Sequence, residues 1–197
     1  MASFVLAVFF LIVTPGPGVL SLAGVGSAFG HSQGLRYLAG LFVGTNLVCL
    51  AVISGLAALV LAEPRIRVVL TMASAAYLLW LAFRIAFAGT RVAFIEQPSP
   101  PGIRGGILLQ AVNPKAYVVN TTLFSGFAFM AEHPYFEIGI KLLIINVLWI
   151  VIHVTWLRAG VTVRRMDLPE RWQRGINMGM AVAMVAVVAL AALAPQG

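Results

Sequence analysis

Two short stretches concentrate the polar chemistry of this chain. Thr14-Pro15-Gly16-Pro17 and Asn113-Pro114-Lys115 each interrupt a long apolar run, and the offset from Thr14 to Asn113 and from Pro15 to Pro114 is the same 99 positions. Proline lacks a backbone N–H and its ring pushes away the carbonyl four residues earlier. Pro15 and Pro17 therefore free the carbonyls of Leu11 and Val13, and Pro114 frees that of Gln110. Thr and Asn are good N-caps and proline suits the first helical position, so each stretch can end one half-helix and start the next. An unpaired backbone group costs several kcal/mol in hydrocarbon, so non-helical backbone survives at membrane depth only inside protein or along a wet cavity. The breaks predict such a cavity, faced by two half-helix N-termini that favour an anion.

Lys115 lies about ten residues, or ~15 Å of helix, inside its run. A cation at the positive end of a helix dipole needs compensation, and a substrate carboxylate would supply it. Thr14, Pro15, Gly16, Pro17, Asn113, Pro114 and Lys115 thus form a candidate substrate site, with Asn46 and Asn146, 100 positions apart, as candidate walls. His153, midway along another run, is a candidate proton carrier, because imidazole titrates near neutrality. All six acids fall between the runs, so a carboxylate proton relay or a carboxylate metal site at membrane depth is not expected. The single cysteine, Cys49, excludes an intrachain disulfide and reads as a packing residue. No zinc-protease, nucleophile-elbow or phosphate-loop motif is present. No catalytic residue, metal or cofactor is assigned, and an enzyme is not expected.

The elements that must hold these residues are membrane helices. With 61% hydrophobic and 10% charged residues, the chain has too little polar surface to coat a soluble globule. A span needs about 20 apolar residues, and six runs qualify: Ala2 to Ala28, Leu35 to Ala62, Val68 to Phe87, Gly105 to Ala131, Ile138 to Leu157 and Ile176 to Leu193. The net charge of +7 does not point to nucleic acid, since the basic residues sit in short connections. Nine of the twelve Lys and Arg outside the fourth run fall on the odd-numbered connections, which makes those cytoplasmic and both termini external. Gln97-Pro98-Ser99-Pro100-Pro101-Gly102 is a stiff, extended linker. It divides the chain into a first three-helix repeat (1–88), a linker segment (89–104) and a second three-helix repeat (105–197), inverted relative to each other as in many secondary transporters. The fold expected is an all-α integral membrane protein of six helices, the first and fourth broken at prolines. Gly40, Gly44 and Gly55 would let a neighbouring helix approach closely. Tyr37, Tyr135 and most of the tryptophans fall near the ends of runs, where amphipathic rings prefer the headgroup layer.

Pro15-Gly16-Pro17, Gly34-Leu35 with Gly40 and Gly44, and Asn113-Pro114-Lys115-Ala116, in that order, resemble the recurring motifs of the lysine-exporter (LysE/RhtB-type) family of small bacterial translocators, and the likeness runs nearly end to end. The resemblance implies a six-span bacterial inner-membrane exporter of amino acids or related metabolites, driven by the proton gradient. Thr45-Asn46 stands where some members carry an acid, which points away from a basic amino acid as substrate. The electrostatics of Lys115 favour a neutral or acidic one. The partners expected are an amino acid and the lipid bilayer, with a homo-oligomer compatible and nucleic acid excluded. Two alternatives use the same residues: a passive small-solute channel, and a membrane assembly or scaffold subunit whose broken helices only bind partners.

Overall fold

The computed structural model describes residues 1–56, 62–87, 99–130, 132–166 and 168–193. Seven helices account for most of them: α1 (Ala2–Val13), α2 (Pro17–Ile53), α3 (Pro64–Ala86), α4 (Gly102–Val112), α5 (Pro114–Ser125), α6 (Pro134–Arg165) and α7 (Glu170–Leu193). Among the described residues there is no strand. The expected first and fourth spans are each split as the prolines require, into α1 with the start of α2, and into α4 with α5. Much of the expected linker, with residues 57–61 of the second run and residue 131 of the fourth, lies outside the described residues.

Helix α2 is not one rod. Gly30 has φ 82 and ψ −177, a backbone conformation open to glycine and strained for other residues. Two contacts show that the chain reverses there. The Tyr37 hydroxyl donates to Ser21 Oγ at 3.2 Å, whereas 16 residues of straight helix would separate the two by ~24 Å. Gly26 and Gly34, on either side of the turn, both face Leu157 of α6. The connection between the first two runs, expected to be a loop, is thus one glycine between two antiparallel arms, 17–29 and 31–53. Tyr37, expected at the headgroup layer, is wholly buried between them.

Helix α2 packs chiefly on α4 and α6, and α3 on α7. The close contacts are backbone to backbone. A Cβ on Gly40 would sit 2.0 Å from the Ile103 carbonyl oxygen, and one on Gly160 2.1 Å from that of Ala23. These approaches are what small residues permit between membrane helices, where packing and hydrogen bonds must do what water does not. Among the described residues three helices are, by length and composition, apolar enough for a bilayer: Pro17–Ile53, whose two arms meet at Gly30, Val68–Ala86 within α3, and Pro134–Arg165. Ala2–Val13 and Gly102–Val112 are apolar but shorter. Leu143, Val147, Val151, Val118 and Met72 are exposed on the outer surface, as side chains facing lipid would be.

Helix α6 is longer than its apolar run predicts, and a cation near each end binds the carbonyl end of a neighbouring half-helix. At one end Lys141 Nζ donates to the Phe124 carbonyl of α5 at 3.1 Å and pairs with Glu137 at 2.7 Å. Glu137 Oε2 accepts from the backbone N–H of Phe129 at 2.9 Å and from that of Met130. At the other end the Arg164 guanidinium donates to the Ala28 carbonyl and, at 3.4 Å, to that of Ser27. Cations suit helix C-termini, where carbonyls lack partners and the dipole is negative. Half-buried Lys115 is therefore joined by a fully buried cation, Lys141, whose side chain is 3% exposed. Position along the chain did not reveal it, because Glu137 and Lys141 sit at the edge of their run and are buried only by the turn after α5.

Candidate functional site

The two breaks meet. Lys115 Nζ donates to the Thr14 carbonyl at 2.6 Å, joining the second break to the first. Gly16 lies under the lysine stem: a Cβ there would be 2.8 Å from Lys115 Cδ and 3.0 Å from Nζ. The glycine is required for that approach and not for its dihedrals, since φ −162 is ordinary extended backbone.

The breaks differ in construction. At the second, one residue leaves the helix. Asn113 Oδ1 accepts from Lys115 N at 3.1 Å, so the side chain caps α5 as expected, and Asn113 Nδ2 donates to Gln110 Oε1 at 2.9 Å. At the first, Thr14 does not cap the following helix. Its hydroxyl donates backward to the Phe10 carbonyl at 2.5 Å, and the capping position passes to Gly16, which has no side chain to offer. Two prolines in three residues hold the chain extended for longer than one does, which moves the start of α2 to Pro17. Helix α2 consequently opens without a side-chain cap, and Gly18 and Val19 of its first turn border the cavity. The carbonyl reaching Lys115 belongs to Thr14, and not to Leu11 or Val13.

Between the breaks is a cavity of about 60 Å³. One water needs about 10–15 Å³ on this measure, so the space suits a few waters or a small solute. Thr14, Gly16, Asn113, Lys115 and His153 line it, joined by Thr45, Gln110, Asn120 and Trp149. Pro15, Pro17 and Pro114 shape its backbone without appearing in the lining. Asn46 and Asn146 are not in the lining either. Each amide donates to the other's oxygen, at 2.9 and 3.1 Å, closing a reciprocal pair between α2 and α6. His153 is buried and stacks on Trp149, with centroids 3.6 Å apart and planes 13° apart. Its Nδ1 lies 2.9 Å from the Trp149 carbonyl. A carbonyl only accepts, so Nδ1 carries the proton and Nε2 the lone pair. Nε2 faces Gly18, 3.5 Å from where a Cβ would stand. Cys49 packs with its thiol on Asn120 Oδ1 at 3.0 Å. Trp149 and Gln110 were not singled out as site residues, because an aromatic residue and a glutamine in apolar runs carry no spacing signal of their own.

Interrupted apolar helices that meet at a small cavity, apolar over most of its wall but carrying a few polar groups, within an all-helical bundle are the architecture of a multi-pass membrane transporter. The chain belongs to the LysE type translocator family, whose model matches residues 9–194. It is a translocator and not an enzyme, of a kind that resides in the bacterial inner membrane. It is 31% identical over 192 residues to a cysteine/O-acetylserine efflux protein of Klebsiella pneumoniae subsp. pneumoniae, covering 94% of this chain and 93% of the relative. An Escherichia coli protein of the same name is 27% identical over 174 residues, 88% of this chain and 87% of the relative. A leucine efflux protein of an Enterobacter species is 26% identical over 130 residues, 64% of this chain and 62% of the relative. No solved structure matches the chain.

Proposed function

We propose that this chain is a secondary exporter of small neutral amino acids, driven by the proton gradient, whose substrate binds between the two breaks with its carboxylate on Lys115. The observation that carries this reading is the Lys115 ammonium resting on the Thr14 carbonyl at the cavity. A lone carbonyl compensates a cation only partly, and a carboxylate forms the stronger, charge-assisted bond. The uncapped first turn of α2 adds backbone donors on the same side. No carboxylate is among the cavity's lining residues, so a cationic side chain would find no ionic partner. The relatives named for efflux of cysteine, O-acetylserine and leucine support a neutral substrate.

The two inverted three-helix repeats, 1–88 and 105–197, belong to this proposal. Support comes from residues at matching offsets that touch: Asn46 with Asn146, and Gly16 with Lys115. Residues related by a two-fold axis meet only where the axis passes between them. The proposal also sets the odd connections in the cytoplasm with both termini external, so reporter fusions after Phe94 should read cytoplasmic and those after His133 external. The decisive experiment is flux in liposomes holding the purified protein. Uphill movement of labelled cysteine or leucine under an imposed pH gradient is expected. Gradient-independent equilibration would indicate a channel, and no flux a scaffold.

A further inference from the structure

The proposed site has a place for the substrate's carboxylate, and its ammonium group needs an acceptor. Apart from the backbone carbonyls freed by Pro15 and Pro17, most acceptors at the cavity are already engaged. Thr14 O holds Lys115 Nζ, Asn113 Oδ1 holds Lys115 N, Gln110 Oε1 holds Asn113 Nδ2, and Asn120 Oδ1 holds the Cys49 thiol. Asn46 and Asn146 are closed on each other. His153 Nε2 is different: the Trp149 carbonyl fixes the proton on Nδ1 and leaves a lone pair beside Gly18, at the cavity.

Resting on the exporter reading above, we propose that His153 Nε2 accepts the substrate's ammonium group and that a proton on the same atom displaces the substrate, so that one proton is exchanged for one zwitterion. The groups facing His153 make this exclusive. Among the lining residues Lys115 of α5 is the only other titratable group; the first break presents Thr14, α4 Gln110, the two arms of α2 Gly18 and Thr45, and α6 Trp149. Without a carboxylate in the lining, a protonated imidazole and a substrate ammonium on the same nitrogen cannot both be neutralised, and like charges at contact distance repel. The stacked indole of Trp149 gives the imidazolium a π face, which offsets part of the cost of a cation that is buried near Lys115.

The cycle balances. Facing outward, the zwitterion leaves and Nε2 forms an N–H bond with a proton from external water. Facing inward, that bond breaks, the proton passes to cytoplasmic water, and the next ammonium takes the lone pair. One positive charge moves inward per zwitterion exported. Membrane potential must therefore drive transport together with the pH gradient.

Liposomes with the purified protein, labelled cysteine kept reduced and labelled leucine as a second probe test this. In the parent protein, a potential imposed at equal pH should drive accumulation, and a pH gradient should do so as well. His153→Gln keeps a hydrogen-bonding side chain but cannot titrate, and its steady-state accumulation ratio should fall to one, whatever its rate of exchange. Accumulation above equilibrium by His153→Gln, or a parent that ignores the potential, overturns the proposal while leaving the exporter intact. If His153→Gln does not exchange at all, the response of the parent to potential decides. No exchange of either amino acid by the parent would overturn the exporter reading itself.

Discussion

The two breaks share their prolines and little else. At Asn113 the chain leaves the helix for one residue, and the asparagine closes the gap by capping α5. At Thr14 to Gly16 three residues stay out, the threonine bonds backward, and the next helix starts uncapped. The first break supplies a carbonyl and open backbone donors; the second supplies a cation and satisfies itself. Where like residues meet across the molecule, as Asn46 and Asn146 do, they saturate each other. Where unlike residues meet, as Gly16 and Lys115 do, one makes room for the other. The like pair ties two helices together, and the unlike pair leaves an ammonium beside a cavity.

The largest effect expected is at the unrepeated charge. Lys115→Met keeps the apolar stem and removes the ammonium; charge-assisted hydrogen bonds are worth about 1.5–3 kcal/mol, so export should fall roughly ten- to a hundredfold. Lys115→Arg should retain part of the activity, because it keeps the charge but needs a larger space. Efflux from loaded vesicles measures both, and full activity in the methionine variant would break the contrast between the breaks. Gly16→Ala comes next. Its methyl group meets the flexible end of Lys115 at 2.8 Å and displaces it. A severalfold loss of export is expected, on the order of 1 kcal/mol. Combined with Lys115→Met it should add nothing further, since both changes act on one contact. Smallest is the difference between the caps. Asn113→Ala removes the bond to Lys115 N and should cost about 1 kcal/mol of stability. Thr14→Ala removes a bond to a helix that is already ending, and should cost less. Thermal unfolding in detergent ranks the two, and equal losses would mean that Thr14 also acts as a cap.

The breaks and Lys115 were legible because proline chemistry and an intramembrane charge are local signals: each can be read from a few residues without knowing the partner. The apolar runs were legible for the same reason. What escaped depends on tertiary neighbours. Gly30 reads as one small residue among many, and only the facing Leu157 and the Tyr37–Ser21 bond reveal a reversal. Asn46 and Asn146 were singled out by their offset as cavity walls, yet whether they face a cavity or each other depends on the distance between α2 and α6. Glu137 was placed between two apolar runs, and only the backbone N–H groups of Phe129 and Met130 folding over it show that it is buried.

The glycine contacts bear on how the protein is made. Gly40 is pressed against Ile103, Gly44 against Ile107 and Gln110, and Gly160 against Ala23. Each joins α2 to a helix later in the chain. During synthesis, the helices that emerge first have no mates for these notched faces and must wait in the lipid, unlocked, until the later ones arrive. Assembly is then an interlocking of two incomplete pieces rather than the docking of two finished ones. A single added methyl at Gly40 or Gly160 would strike backbone, which cannot turn aside as a side chain can.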